Sequence, residues 1–483
     1  MSPSPDTATG VRPARPLPLL VGLLAFAAAA AGFAATALVG ALQVLIVHFR
    51  TDLDNAGWAV NAFILVAAAS AVVGGRVGDR YGRRRLLVAL LLVSTVGAAI
   101  SLATDTLSGV IAGQAVAGVA GGVLPLCFGL AREALPWQKV PVATAVIAGA
   151  ATLGGATGAV VAEAMVQSPG WRYLLVVTGA ATLLAGLACI LLPGSARVGG
   201  GERVNWLAGV VLVAAVSLVL FGVQGSITRS WSDGRTIAGI VCGLALLALW
   251  AAWERRVEHP MINVRLLTGR KTVLTTLATA VLVTGIVGAA GLLLQTLMQT
   301  PELAPVGIGL SARETVWLLF GVAALGLLLS PVAGWLAARA GARQSLVVGS
   351  LFGVVNALCL ALFHDSVTGV VVSVAFLAVA TSFVLSAIPI LIMEDTPEEN
   401  TSEATGLNVV VRTVFTTLGT SLATYFLSHN LVPRTPFSSS DAFSQGFTLI
   451  GACSAAGFVL ALFIRSGERS GAAAPSAALA TKA

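Results

Sequence analysis

Fourteen apolar segments account for most of this chain, each near or above the roughly 20 residues that an α-helix needs to cross a bilayer. Broken at charged, Gly/Pro and Asn/Asp clusters, they run 17–46, 57–75, 86–103, 109–131, 142–166, 173–193, 206–225, 235–253, 272–297, 313–337, 344–363, 368–393, 406–427 and 444–464. The fold class this predicts is an all-α integral membrane protein with 14 transmembrane helices. A soluble protein is about half apolar and about a quarter charged. These 483 residues are 57% apolar and 10% charged, too few polar groups to cover the several soluble domains that the length implies. A soluble enzyme is excluded, and the bilayer is the solvent for most of the chain.

Basic residues orient the spans, because cytoplasmic loops carry the Lys/Arg excess. With the N-terminus inside, 21 of the 28 Lys/Arg fall in inside segments and six in outside loops, while Arg412 sits within a span. The five-residue clusters Arg76–Arg85 and Arg255–Lys271 both land inside, as an even number of spans with cytoplasmic tails at 1–16 and 465–483 requires. The first sixteen residues lack a signal-peptide pattern, so the first apolar segment is expected to stay as a span. Arginine supplies all basic residues but Lys139, Lys271 and Lys482, which together with Ala, Gly and Val richness points to a GC-rich bacterial genome. The expected location is a bacterial inner membrane. Cys127, Cys189, Cys242, Cys359 and Cys453 each stand alone in an apolar stretch, without the paired spacing of a zinc or redox site.

An internal repeat divides the chain. The pattern G-x4-R-x-G-x-R occurs after the second span as Gly75, Arg80, Gly82 and Arg84, and after the tenth as Gly334, Arg339, Gly341 and Arg343. An offset of eight spans rather than six predicts two six-helix bundles, 17–193 and 272–464, with two inserted helices at 206–253. A basic loop of this kind can serve as an orientation signal alone. Its glycines argue for more, since Gly78 and Gly82 permit close backbone approach and a tight turn. Asp79, set among Arg76, Arg80, Arg83, Arg84 and Arg85, can form charge-assisted hydrogen bonds or cap a neighbouring helix start.

These residues resemble a family, the major facilitator superfamily in its fourteen-helix drug:proton antiporter branch. The family's loop motif reads G-x-L-A-D-R-x-G-R-K, and Gly75, Val77, Gly78, Asp79, Arg80, Gly82, Arg83 and Arg84 stand at its positions. Trp58, the segment Ser168 to Tyr173, His259 to Ile262, and Gly406, Leu407 and Asn408 through Arg412 also match family positions, so the resemblance covers about residues 17–464. It implies two bundles that rock about a central site, with Asp79 and its arginines latching the halves on the cytoplasmic side. A counterpart lies before span thirteen, where Glu394, Asp395, Glu398, Glu399 and Glu403 occur without Lys or Arg. The expectation is that Arg83, Arg84 or Arg85 pairs with Glu398, Glu399 or Glu403. Exposed pairs contribute about 0–1 kcal/mol each, so several are needed.

Departures from the family bear on coupling. Proton-coupled members carry an acid in span one, yet here the most polar side chain of that span is Gln43. Gln114 replaces an arginine in span four, ahead of Gly118 and Gly122. Span five keeps Gly149, Gly154 and Gly158 but has Ala159 for the family proline and Ala162-Glu163 for its final glycines. Gly118, Gly122, Gly154 and Gly158 read as helix-packing positions. Glu163 is the clearest acid within a span and a candidate proton carrier, although it lies near the outer end. Arg412 is the one basic residue deep in a span, with Asn408 one turn earlier on the same face. The two are expected to face a central cavity where Arg412 binds an anionic group, pairs with Glu163 or Glu403, or braces its helix. Asn61, Gln114, Gln295, Asn356 and Ser386 are further cavity candidates.

No ring of charges or carbonyl filter suggests a channel, no cluster of reactive side chains an enzyme, and no phosphate-binding glycine loop an ATP-driven pump. The predicted function is export of small amphipathic molecules by proton antiport; a facilitator or diverged carrier without strong proton coupling is the alternative. The expected partners are the bilayer, a small-molecule substrate and protons, for a monomer with no metal, cofactor or nucleic acid.

Overall fold

The computed structural model describes residues 17–166, 170–194, 205–228, 230–257, 269–301, 304, 306–432, 435 and 437–464. The two tails, His259 to Ile262 and Ser168-Pro169 lie outside the described residues. The elements are helical throughout: α1 (Leu17–Gly40), α2 (Leu42–Phe49), α3 (Leu53–Tyr81), α4 (Arg83–Ala103), α5 (Leu107–Ala117), α6 (Val123–Ala134), α7 (Val140–Val166), α8 (Trp171–Cys189), α9 (Trp206–Thr228), α10 (Gly234–Glu254), α11 (Arg270–Leu282), α12 (Ala290–Gln299), α13 (Ala312–Ala340), α14 (Ala342–Phe363), α15 (Val367–Asp395), α16 (Thr401–His429) and α17 (Ser440–Phe463). A 3-10 turn (Gly118–Gly122) joins α5 to α6, and a π-helical turn (Val283–Ala289) joins α11 to α12. Thirteen helices among the described residues are long and apolar enough to cross a membrane. Helix α16 has the length, but Arg412, Asn408 and its many threonines make it more polar than the rest.

Two sequence boundaries need correction. The predicted span 17–46 is broken at Gly40-Ala41 into α1 and α2. The Arg76–Arg85 loop is scarcely a loop at all, since Gly74 to Tyr81 complete α3 and Arg83 opens α4 with Gly82 alone between them. Gly82 makes this turn with φ +109°, and Gly341 makes the corresponding turn between α13 and α14 with φ +92°. Such backbone is open to glycine and strained for other residues.

Helix starts follow the sequence. Asp52, Thr106, Asp233, Ser311, Ser366 and Ser439 each accept a hydrogen bond from a first-turn N–H of their own helix. At α13 Glu314 completes a capping box with Ser311, so this acid has a structural role. Helix α16 differs: Asn400 at its N-cap makes no capping bond.

Small residues set the packing. A β-carbon at Gly154 would lie 2.6 Å from the Ala29 carbonyl carbon and one at Gly158 2.9 Å from the Phe33 oxygen, so α7 lies directly on α1. Gly118 and Gly122 approach the Phe63 and Ser70 carbonyls of α3 in the same way, at 2.6 and 2.8 Å. Helices α9 and α10 pair through a hydrogen bond from Trp250 Nε1 to the Ala208 carbonyl at 3.0 Å. Leu212, Val216 and Leu220 of α9 pack in one cluster with Ala68 and Val72 of α3 and Val410 of α16. Ser226 of α9 also hydrogen-bonds Ser421 of α16. The α9–α10 pair therefore lies along the α3–α16 junction.

Candidate functional site

Helices α3, α6 and α16 converge at the end of the molecule that carries Arg76 to Arg85. Gly75 makes the approach possible: a β-carbon there would overlap the Ser402 carbonyl, 2.7 Å from its carbon, and one at Gly406 would lie 2.9 Å from the Ala71 carbonyl carbon. This brings Asp79 to the uncapped start of α16, where its carboxylate accepts from the backbone N–H of Ser402 at 3.3 Å and of Glu403 at 2.9 Å. Arg83 Nε donates to the same carboxylate at 2.7 Å. Arg83 also reaches the Gly129 carbonyl at 3.1 Å, Glu133 at 3.2 Å and the Glu398 carbonyl at 2.6 Å. Asp79 and Arg83 are 5% and 4% exposed, so this cluster is buried rather than a set of surface pairs. Breaking such a pair costs about 3–5 kcal/mol, against about 0–1 for an exposed one.

The predicted partners rearrange accordingly. Glu403, 3% exposed, pairs with Arg76 at 2.8 Å. Glu398 meets Arg83 through its backbone, its side chain being exposed, as are Glu399 and Arg85. Arg80 remains half-buried at the end of α3, and Gly78 packs against the Leu126 side chain. Arg132 was not singled out from the sequence, yet it donates to Thr401 Oγ1 at 2.9 Å and the Thr396 carbonyl at 2.8 Å. The signal was present: Arg132-Glu133 is a charged pair ending a span otherwise free of charge. At the same end Lys271 pairs with Glu394 at 2.8 Å and Thr272 donates to Asp395 at 2.6 Å.

Interior candidates separate into different places. Arg412 sits near the middle of α16, half-buried, and among the described residues it has no hydrogen bond or ion pair. Asn408 one turn earlier is buried and donates to Thr279 Oγ1 of α11 at 3.3 Å. Thr413, Thr417, Thr420 and Thr424 share a face of α16, and each hydroxyl donates to the carbonyl four residues back, leaving oxygen lone pairs to accept. Gln114 is buried in α5. Asn356 donates to Ser373 at 2.8 Å and so ties α14 to α15; Ser386 is buried in α15 and Gln295 is exposed on α12. Glu163 lines a cavity of about 190 Å³ with Arg313 and Trp317, between α7 and α13 at the end opposite Asp79. Asn61 lines another, between α3 and α9.

Comparison with known proteins places this architecture. The profile of the Major Facilitator Superfamily matches residues 24–420 and again 272–481. The chain belongs to this superfamily. A multidrug resistance protein B homolog of Mycobacterium tuberculosis is 28% identical over 318 residues, 64% of this chain and 56% of that relative. The match thus spans little more than half the relative's length. A uridine/deoxyuridine transporter of Lactococcus lactis is 26% identical over 408 residues, 81% and 82% of the two chains. Among solved structures, the human organic anion transporter superposes with a TM-score of 0.63 at 12% identity, covering 92% of this chain and all of the other, which is a likeness of fold.

Within this superfamily member the two copies of the motif can be compared directly. Arg84 donates to the Ile190 carbonyl just past the end of α8, and Arg343 donates to the Ala461 and Leu462 carbonyls at the end of α17. Gly75 meets the start of α16; Gly334 meets the start of α7, where a β-carbon would lie 2.6 Å from Val142 Cα and 2.8 Å from the Pro141 oxygen. Gly75, Gly82 and Arg84 thus do the same structural work as Gly334, Gly341 and Arg343. Three charged residues of the first copy have no counterpart in the second, Trp335 standing for Arg76, Ala338 for Asp79 and Ala342 for Arg83.

Proposed function

We propose that the protein is a secondary transporter that exports small amphipathic molecules by alternating access. In this reading α16 also crosses the membrane and brings the spans to fourteen, residues 17–193 and 272–464 form the two bundles, and 206–253 the inserted pair. The Asp79 end faces the cytoplasm of a bacterial cell, both tails lie inside, and the carrier works as a monomer. The observation that carries the reading is the buried Asp79–Arg83 cluster on the start of α16. It joins helices of both repeats at one end, through bonds that break when the halves part, and so favours the form closed on the cytoplasmic side. A few kcal/mol of this kind is enough to set the ratio of two carrier states. Gly75, Gly78, Asp79, Arg80, Gly82, Arg83 and Arg84 form the gate, with Glu398, Glu399 and Glu403 opposite.

Partners named for the relatives, drugs in one and nucleosides in another, support a small organic substrate. Arg412, with no ion partner among the described residues and partial exposure, supplies a positive point for the substrate, with Asn408 one turn earlier on the same helix. Proton antiport through Glu163 is the coupling proposed. Uncoupled facilitation is the second reading, favoured by the absence of any acid in α1 and by the position of Glu163 beside Arg313 at the outer end. Efflux from cells producing the protein, measured with and without a protonophore, separates the two. Efflux that ignores the protonophore overturns antiport; no efflux of any compound in a broad toxin and metabolite panel overturns export.

A further inference from the structure

Between α3 and α9, at the end away from Asp79, lies a cavity of about 210 Å³ lined by Asp54, Trp58, Asn61, Phe221 and Gln224 among apolar neighbours. Three features make it more than a packing gap. Among the described residues its lining holds one carboxylate, Asp54, and no Lys, Arg or His. The α3 N-cap is Asp52, so Asp54 is not needed for the capping bond. The Trp58 ring is stacked on Phe221 with centroids 6.0 Å apart at 23°, and Trp58 remains 39% exposed, leaving aromatic surface facing the cavity. The side-chain amides of Asn61 and Gln224 make no hydrogen bond to any described residue, although both are half-buried between helices. An amide in such surroundings is matched by water or by a ligand.

We infer that this cavity is a binding site for a small planar aromatic cation. Asp54 supplies the opposite charge, Trp58 a π-face that attracts a cation, and Asn61 and Gln224 the polar contacts that orient it. A cavity of this volume admits a bicyclic ring and not a large multivalent drug. The same lining disfavours anions, which separates it from the Arg412 region. One wall belongs to α9, which gives the α9–α10 pair a part in ligand recognition. The inference is independent of transport, because a chain that binds but moves nothing would still satisfy it.

The test is equilibrium binding of N-methylquinolinium to the purified full-length chain in a neutral detergent, with uncharged quinoline as its isostere. Wild type binds the cation more tightly than quinoline. Asp54→Asn weakens the cation about tenfold and leaves quinoline unchanged, as loss of one charge in a partly exposed site predicts. Gln224→Leu weakens both ligands, and all variants melt with the wild-type transition. The proposal is overturned if the wild type shows no binding, if Asp54→Asn and Gln224→Leu bind as wild type, or if phosphocholine displaces the probe, which would assign the cavity to a lipid headgroup.

Discussion

Asp79→Asn is the substitution that most directly probes the closed end. Asparagine keeps the size of the side chain and one acceptor oxygen, so packing against Gly75 and Ser402 is preserved while the charge is removed and the second acceptor becomes an NH2 donor. Three hydrogen bonds depend on that charge: from Arg83 Nε at 2.7 Å and from the Ser402 and Glu403 N–H groups at 3.3 and 2.9 Å. A bond to a charged group contributes about 1.5–3 kcal/mol and a neutral one about 0.5–1.5, so the two on Oδ1 each lose roughly half and the one from Glu403 N–H to Oδ2 is lost. Loss of the negative charge from the start of α16 removes about 0.3–1 kcal/mol more. Relief from burying a carboxylate offsets part of this, and Arg83 keeps Glu133 and the carbonyls of Gly129 and Glu398. The net weakening of the closed end is about 2–3 kcal/mol, a factor of about 30 to 150 in its population relative to the open form. Hydrogen exchange of the amides of residues 402–406 reads this directly, because they lie where α16 meets α3. Their protection should fall by that factor in Asp79→Asn, with the core of α14 unchanged as a control for global loosening. Protection at residues 402–406 within threefold of wild type, in a variant that still melts cooperatively, would refute the latch.

Gly75→Ala should open the same junction sterically, since its β-carbon meets a backbone carbonyl that cannot rotate away; a cost of about 1–3 kcal/mol and faster exchange at residues 402–406 are expected. Gly341→Ala, with nothing within 4 Å but φ at +92°, should instead lower the melting temperature without changing that exchange. Arg412→Gln should abolish transport while leaving thermal stability equal or higher, because an arginine deep in a span carries an insertion penalty of roughly 2.5–3.5 kcal/mol; unimpaired transport would remove Arg412 from the substrate path. Glu163→Gln should abolish protonophore-sensitive efflux and spare downhill exchange, and no change in either would make Glu163 structural.

Much of the scaffold was legible because apolar length is a property of the sequence itself. The motif was legible for the same reason, down to Asp79 as a cap for a neighbouring helix. Which arginine meets which acid was not. The motif arginines lie on two consecutive helices, and only the phase of α3 and α4 turns Arg76 toward Glu403, Arg83 into the core and Arg85 into solvent. Reading Arg76 and Arg80 as loop residues followed from breaking segments at charge, whereas arginine is a good helix former and its charge suits a helix C-terminal turn. Helix α16 shows the reverse: its sequence is polar because it faces partners, with Asn408 on Thr279 and Ser421 on Ser226. Asn61 was assigned to the central cavity because nothing in the sequence says that α9 would lie against α3.

The asymmetry between the two motif copies has a physical reason in the helices that they meet. Gly75 and Gly334 make matching approaches, but the N-termini opposite them differ. Helix α16 offers consecutive N–H donors at Ser402 and Glu403, and it has no cap of its own, so an acid at position 79 finds two partners. Helix α7 begins Val140-Pro141 after the 3-10 turn Trp137–Lys139, and the proline at its second position has no N–H to give. A carboxylate at position 338 would find fewer donors there, and a guanidinium at 342 would lack that carboxylate as its partner. Among the described residues no ion pair links α13 to α7 at this end, so that corner is held by close apolar contact. Apolar contact yields gradually as helices tilt, whereas a buried charge cluster holds or breaks as a unit. In the proposed alternating-access cycle the two-state character of the closed end therefore resides at the α3–α16 corner, and the α13–α7 corner follows it.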